Sequence, residues 1–207
     1  MTPRTPLTIR TPRLLLRPLA EPDRLEYIHG HNDSADHLRP WSPLPVPGRS
    51  SDEIFNDELI RTAATEESGA GCRRVAELIP EACAELGIDP ARRRPLVAYV
   101  NLNNICRGCF LSADMGWRVM REFTGRGFGT EAVRGMFDLA FALPPQGLGL
   151  HRVQANVMPS NLPSLSLAKR AGFRREGFAP RMLCIAGRWE DHIMHAKLAE
   201  EHAATVR

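Results

Sequence analysis

Three glycines at alternate positions, Gly125, Gly127 and Gly129, separate a strand pattern from a helix pattern. Residues Met115 to Met120 favour a strand, and residues Thr130 to Leu143 place apolar side chains at helical spacing. Glycine lets the backbone turn sharply, so that successive N–H groups point into one concavity, and the start of the next helix adds partial positive charge. The pattern predicts a strand-loop-helix unit whose loop either binds an anion or is an ordinary tight turn.

Two familiar phosphate-binding loops do not match this segment. The Walker loop needs a Gly-Lys-Ser/Thr sequence, which does not follow here. The dinucleotide fingerprint Gly-x-Gly-x-x-Gly lacks its last glycine, and the expected acidic residue does not follow. If the loop binds an anion, the remaining interpretation is the pyrophosphate of a different cofactor.

Strand and helix patterns alternate in the second half of the chain. This alternation favours an α/β or α+β sheet with helices on its faces. The predicted strands are 96–102, 115–120, 152–157 and a hairpin of 182–185 with 189–198, and the predicted helices are 130–143 and 161–172.

The first half is predicted to contain fewer regular elements. We expect a strand over 14–18, a helix over 21–30 and a second helix that runs to Arg61. Ser50 caps this second helix, with Glu53 completing a capping box. Residues 63–95 are predicted to hold a strand and an inserted loop or short helix, ending in an exposed loop at 91–95.

Length and composition indicate one globular domain over residues 1–207. The chain has 23.1 kDa, 43% hydrophobic and 25% charged residues, and it lacks an apolar run of the ~20 residues that a membrane span needs. Residues 1–6 are polar and broken by proline, unlike a secretory signal. Five cysteines argue against a disulfide framework. We therefore expect a cytoplasmic protein without membrane attachment.

The basic residues are almost all arginine. Of 27 basic side chains, only Lys169 and Lys197 are lysine, and the formal net charge is +3. This small net charge excludes general coating of nucleic acid, so no direct nucleic-acid partner is expected. Arg126 lies within the glycine loop, where it can meet an anion, whereas Arg92 to Arg94 match no motif and are assigned to codon usage.

Cys106 and Cys109 have the Cys-x-x-Cys spacing of a metal or redox site. No second pair or histidine partner completes a zinc site. We predict no metal and expect both thiols to be buried or half-buried.

Two segments together resemble the GNAT acetyltransferases. Residues 115–132 resemble motif A of that family, with Thr124 in place of its first arginine or glutamine, and residues 150–177 resemble motif B of its ribosomal-protein branch. The resemblance spans about residues 10–198, with 80–95 as an insertion. It implies an α+β GNAT fold with a mixed, largely antiparallel central sheet and helices on both faces.

The resemblance implies acetyl-CoA as co-substrate. The strand of Trp117, Arg118 and Val119 would pair with the pantetheine arm and offer a backbone N–H to the acetyl carbonyl. The phosphate cradle would be formed by four residues, namely Arg126, Gly127, Gly129 and Thr130. The acceptor would be a primary amine that attacks the thioester directly, most simply the N-terminal alanine of a ribosomal protein.

Several positions are candidates for the remaining roles. Asn161 fits a helix N-cap, and by resemblance also faces the pantetheine arm. Ser164 either completes the first turn of that helix or, as the resemblance implies, is the proton donor to the coenzyme thiolate. Asp114 is the candidate base, unless it is a solvated carboxylate, and Asp191–His192 is the second candidate pair. Since neighbouring strand residues point to opposite faces, at most one of those two lines the site. Arg121, Arg134, Lys169 and Arg170 are candidate partners of the coenzyme phosphates.

Two alternatives stay open at this point. The acceptor could be a small amine, such as an antibiotic, a polyamine or an amino acid. The chain could instead be a non-catalytic coenzyme sensor or ribosome-assembly partner. Homodimers are common in the branch that the chain resembles, and the resemblance allows one here.

Overall fold

A computed structural model describes residues 7–205, so the polar start at 1–6 lies outside the described residues. None of the described helices is long and apolar enough to cross a bilayer. The strands are β1 (Ile9–Arg10), β2 (Leu14–Arg17), β3 (Cys72–Leu78), β4 (Leu96–Cys106), β5 (Ser112–Val119), β6 (Arg152–Val157), β7 (Arg174–Ile185) and β8 (Arg188–Leu198). The helices are α1 (Arg24–Leu38), α2 (Ser51–Ser68), α3 (Pro80–Glu85), α4 (Phe128–Phe141), α5 (Leu162–Ala171) and α6 (Ala199–Thr205).

The strands form one sheet in the order β1-β2-β3-β4-β5-β6-β8-β7. All neighbouring strands run antiparallel except β5 and β6, which run parallel near the middle of the sheet. The prediction of a mixed, largely antiparallel sheet is confirmed.

Helices cover both faces of the sheet. On one face, Tyr27 of α1 meets Tyr99 of β4 edge to face, with ring centroids 5.5 Å apart. On the other face, the ring centroid of Trp117 in β5 lies 5.9 Å from that of Phe173, which follows α5. Each layer buries one stripe of its helices against the sheet, which is the arrangement expected of an α+β domain.

The predicted caps of α2 and α5 are present. The Oγ of Ser50 accepts a hydrogen bond from the N–H of Glu53 at 3.2 Å, and the Glu53 carboxylate accepts from the N–H of Ser50 at 2.8 Å. The Oδ1 of Asn161 accepts from the N–H of Ser164 at 3.1 Å. Helix α5 ends at Gly172, whose φ of 95° is the left-handed conformation that glycine adopts easily.

Several predicted boundaries were wrong. Helix α1 continues through Gly30 to Leu38 instead of ending at Gly30. A Cβ at residue 30 would lie 3.4 Å from the sulfur of Met120, so this glycine allows close packing on the sheet rather than ending the helix. Helix α2 runs to Ser68, beyond Arg61, and β7 begins at Arg174 rather than Met182.

Residues 63–95 contain the strand and the short helix that the sequence favours, and two arginines near their end form ion pairs. β3 lies before the insertion at 80–95, and α3 forms the first part of that insertion. Arg93 binds Glu26 and Glu122, and Arg94 binds Glu77. Arg93 and Arg94 thus have structural partners that no motif in the sequence indicated.

The prediction for the Cys-x-x-Cys segment was also wrong. Cys106 and Cys109 are both exposed. They lie at the turn between β4 and β5, beside Phe110, which is 70% exposed. Apolar character alone therefore does not bury these side chains.

Candidate active site

The parallel strands β5 and β6 separate after three rungs. Their register runs from Ser112 opposite Arg152 to Asp114 opposite Gln154 and then stops. Beyond Asp114, β5 stays paired with β4 on one side only, and β6 stays paired with β8. A wedge therefore opens in the middle of the sheet, and its β5 edge, residues 115–119, offers backbone groups to a ligand. We call this space the wedge.

An unpaired strand edge can bind an extended ligand as an additional strand. Trp117, Arg118 and Val119, the predicted coenzyme strand, all lie on this edge. Their side chains alternate between the faces. Those of Trp117 and Val119 lie toward α5 and α4, whereas that of Arg118 lies toward α1, over the ring of Tyr99.

The glycine loop follows directly at the open end of the wedge. Gly125 and Gly127 have φ values of 75° and 82°, the left-handed conformation in which an L side chain is strained. Gly127 caps α4, and the first hydrogen bond of the helix runs from the N–H of Glu131 to its carbonyl. The N–H groups of the first turn are therefore available to an anion.

Gly129 is required by packing. A Cβ there would lie 2.6 Å from Cγ2 of Val119 and 2.7 Å from Cδ1 of Leu167. The first turn of α4 thus lies directly against β5 and α5. This close approach positions the N–H groups of the loop beside the wedge.

Thr130 supplies a polar group without a partner. Its Oγ1 is buried and has no hydrogen bond within the described residues. Buried hydroxyls are nearly always bonded in native proteins. Its position in the first turn of α4 fits a ligand that carries hydrogen-bond acceptors, such as a pyrophosphate.

Arg13 is a residue of this region that the sequence analysis missed. It stacks over the ring of Phe128 at 4.3 Å, donates to the carbonyl of Arg126 at 3.2 Å and binds Glu131 at 2.7 Å. It therefore holds the glycine loop from the β1–β2 turn. No local motif marks it, since its partners lie more than a hundred residues away.

A cleft of about 610 Å³ lies over the exposed face of α4. Its rim carries four arginines, namely Arg10, Arg13, Arg134 and Arg170. Two of the predicted phosphate partners, Arg134 and Arg170, thus lie together, and Nη2 of Arg134 donates to the carbonyl of Arg170 at 2.6 Å. The concentration of guanidinium groups beside a helix start favours an anionic ligand.

The candidate base Asp114 lies at the closed end of the wedge, on its last rung. Oδ2 accepts from the amide of Asn104 at 2.9 Å, and the amide of Gln154 lies 3.5 Å from Oδ1. Both contacts come from side-chain amides, so the carboxylate oxygens keep lone pairs for a further hydrogen bond.

Asp191 and His192, the second candidate pair, lie on opposite faces of the sheet, as neighbouring strand residues do. Oδ1 of Asp191 accepts from the N–H of Arg181 at 2.8 Å, within the β7–β8 hairpin. His192 is buried, and its Nδ1 donates to the carbonyl of Glu190 at 2.9 Å, which leaves Nε2 as an acceptor in the neutral ring. By strand alternation His192 shares the sheet face of Asp114.

Ser164 lies in the first turn of α5, beside the Asn161 cap. Its hydroxyl is half-buried and makes no hydrogen bond within residues 7–205. The Asn161 cap uses only Oδ1, so Nδ2 stays available as a donor.

The loop between α1 and α2 lies against the β7–β8 turn. The N–H of Ala186 donates to the carbonyl of Ser42 at 2.9 Å, and Leu44 lies against Gly187. This contact connects the α1–α2 loop to the β7–β8 hairpin. In the described part of the chain no three metal-binding side chains come together.

The comparisons with known proteins agree with this geometry. Residues 13–174 match the family described as Acetyltransferase (GNAT) domain. The chain therefore belongs to the GNAT acetyltransferases and is an N-acetyltransferase of that family.

The chain is also similar to individual members of this family. The chain is 32% identical to "Probable N-acetyltransferase YjcK" of Bacillus subtilis, over 86% of this chain and 90% of the relative. It is 25% identical to "[Ribosomal protein uS5]-alanine N-acetyltransferase" of Escherichia coli, over 91% of this chain and 89% of the relative. The solved structure of Mycobacterium smegmatis RimJ in complex with CoA-disulfide superimposes with a TM-score of 0.77 at 26% identity, covering 100% of this chain and 98% of that one.

Proposed function

We propose that this protein transfers the acetyl group of acetyl-CoA to the N-terminal amine of a protein, with the N-terminal alanine of a ribosomal protein as the first candidate acceptor. The observation that carries the proposal is the wedge, whose free β5 edge leads from the glycine loop to Asp114. The names of two relatives, a uS5-alanine acetyltransferase and RimJ, support the choice of acceptor. Such an acceptor places the reaction in the cytoplasm, and we treat residues 1–207 as one catalytic domain.

The proposed position of acetyl-CoA uses both ends of the wedge. The pantetheine arm would lie along Trp117–Val119 as an additional strand, with Nδ2 of Asn161 facing it. The pyrophosphate would accept hydrogen bonds from the N–H groups between Gly127 and Thr130 and from the Thr130 hydroxyl. Arg126 and the arginines of the α4 cleft would face the remaining phosphate charge.

The proposed reaction needs no acyl-enzyme. The amine nitrogen forms a bond to the acetyl carbon, and the bond from that carbon to the coenzyme sulfur breaks. A backbone N–H of the β5 edge polarises the carbonyl oxygen. Asp114 takes one proton from the amine through water, and the hydroxyl of Ser164 gives one proton to the departing thiolate.

His192 is the alternative base. Its free Nε2 and its place on the face of Asp114 suit the same role. The two differ in chemistry, because Asp114 offers a carboxylate oxygen to the proton and His192 offers an imidazole nitrogen.

The experiment that tests the function combines thiol release with mass spectrometry. Peptides that begin with alanine or serine are offered with acetyl-CoA, and the same peptides with a blocked N-terminus are the control. We expect release of CoA only with the free N-terminus and a mass increase of one acetyl group there. Replacement of Gly127 by a bulky residue should abolish acetyl-CoA binding in calorimetry. Acetylation of polyamines, antibiotics or amino acids alone would refute the peptide acceptor, and tight CoA binding without any transfer would indicate a sensor.

A further inference from the structure

Two unpartnered polar atoms lie together beneath α1. Among residues 7–205, three buried side-chain atoms have no hydrogen-bond partner, namely Nε of Arg118, Nδ1 of His31 and Oγ1 of Thr130. Thr130 belongs to the proposed phosphate cradle. The other two lie on either side of Tyr27, since His31 stacks on its ring at 5.8 Å and Nη2 of Arg118 donates to its hydroxyl at 3.3 Å. We call Arg118, Tyr27 and His31 the Arg118 cluster.

Arg118 is a cation without a carboxylate. Its guanidinium lies 4.2 Å from the ring centroid of Tyr99 and 5.8 Å from that of Tyr27. No carboxylate of the described residues lies within 4.0 Å of it. Arg73, on the next strand but one, binds Glu58 at 2.7 Å.

An enclosed charge without a counter-ion is costly. Burial, and after it the charge of Arg118, lower the pKa of His31, so the imidazole is neutral at pH 7 and Arg118 is the cation of the cluster. Glu58, the acidic group whose field reaches both side chains, is already bound by Arg73. Arg118 therefore makes no ion pair with a carboxylate of the described residues, although the charge of Glu58 acts on it from a distance.

The cluster lies on the acceptor side of the wedge. Asp114, Gly116 and Arg118 alternate along β5, so they share one face. Gly116 has no side chain, and a Cβ built there would meet nothing within 4 Å. Open space therefore separates the candidate base from Arg118. Gly116 and Arg118 are two residues apart on a strand and therefore about 6.6 Å apart. An acceptor whose amine lies over Gly116 can contact Arg118 with a second group that is roughly 6.6 Å from that amine.

We propose that Arg118 is a specificity-determining residue that selects acceptor amines carrying a carboxylate. The inference rests on the proposed function and deepens it, because it names the acceptor class as an N-terminus whose second residue is acidic. The carboxylate would accept hydrogen bonds from the terminal nitrogens of Arg118, because the residue is half-buried whereas its Nε is enclosed. The same positive charge disfavours polyamines, whose groups are all cationic.

Two matched acceptors test this proposal. The tetrapeptide amides Ala-Glu-Ala-Ala and Ala-Gln-Ala-Ala differ only in the charge of the second residue. For the unmodified protein we expect kcat/KM to be at least about tenfold higher with glutamate, as a charge-assisted hydrogen bond implies. 6-Aminohexanoate and its amide form a second pair that separates a small acid from an acidic peptide.

Substitutions assign the preference to Arg118. Arg118→Gln should raise KM for the glutamate peptide about tenfold relative to KM for the glutamine peptide, so that discrimination disappears. Arg118→Lys keeps the charge without the fork and should restore part of the preference. Arg24→Gln is the control, because Arg24 also stacks on an aromatic ring, at 4.5 Å from the centroid of Phe55, but lies outside the cluster.

Binding measurements keep this test separate from the test of acetyl transfer. The same peptides are titrated by calorimetry into the protein saturated with CoA, so the ratio of their Kd values needs no turnover. Tighter binding of the glutamate peptide that is lost in Arg118→Gln supports the proposal even if transfer fails. The proposal is overturned by equal Kd values, by absence of binding of both peptides, or by an unchanged preference in Arg118→Gln. Acetylation of both peptides at equal rates also overturns it, but this result leaves the proposed function standing.

Discussion

Arg93 donates two hydrogen bonds to the carboxylate of Glu122, at 2.8 and 3.0 Å. It also binds Glu26 of α1 at 2.9 and 3.0 Å. Hydrogen bonds to Glu122 and then Glu26 raise the pKa of Arg93. Glu122 lies in the short turn Arg121–Phe123 that leads into the glycine loop. An arginine of the insertion thus connects α1 to the loop that we propose binds pyrophosphate.

This connection predicts the effect of Arg93→Gln on cofactor affinity. Loss of both ion pairs should loosen the turn before the glycine loop and raise Kd for acetyl-CoA roughly tenfold, or about 1.4 kcal/mol. Calorimetry measures this directly. Arg24→Gln is a matched control, since Arg24 also bridges two carboxylates, Glu21 and Asp52, away from the loop. An equal loss of affinity in both variants would show a general effect on folding instead.

Two glycines of the loop should respond differently to alanine. Gly129→Ala brings a methyl group to within 2.7 Å of Val119 and Leu167, so we expect a loss of about 1–3 kcal/mol in the free energy of unfolding and weaker acetyl-CoA binding. Gly125→Ala meets no atom within 4 Å, and only its φ of 75° opposes it, at a cost of about 1–2 kcal/mol. Denaturant unfolding compares them. A larger loss in Gly125→Ala would contradict the packing role of Gly129.

Variants of the two candidate bases should separate by activity and pH profile. Asp114→Asn keeps the shape and should lower kcat about a hundredfold if Asp114 is the base. His192→Gln should then change kcat much less and leave the dependence of kcat on pH unaltered. Asp36→Asn, at an exposed carboxylate that binds Arg39, controls for surface charge. Loss of activity in His192→Gln alone would assign the base to His192.

Acid stability should depend on Glu176. Hydrogen bonds from Arg152 and then Arg174 lower its pKa to about 2. A lowered carboxylate pKa stabilises the fold fully above its unfolded value near 4.5, and this contribution disappears as the pH falls toward 2. Glu176→Gln should therefore be less stable by about 1 kcal/mol at pH 7, and the difference should vanish near pH 2. Urea unfolding at several pH values tests this, and a difference that persists at pH 2 would contradict the ion-pair origin.

Much of the local structure was readable from the residues. The capping box of Ser50 and Glu53, the Asn161 cap and the strand-glycine-helix unit all depend on neighbours within a few positions, and each is present. Helix ends were less predictable. Gly30 was predicted to end a helix, but it lies inside α1. Packing on Met120 compensates there for the poor helix propensity of glycine.

Some parts of the candidate site were likewise predictable from neighbouring residues, whereas others depend on distant contacts. The sequence by itself determined the glycine loop, the strand that the resemblance predicts to pair with the coenzyme, and the family resemblance, since these are contiguous patterns along the chain. Only the tertiary structure decided that β5 and β6 separate after Asp114, that Arg13 and Arg93 hold the loop from distant segments, and that Arg118 faces α1 without a carboxylate. Strand separation and ion pairing depend on contacts between residues far apart in the chain, and the pattern of side chains along one segment does not encode their partners.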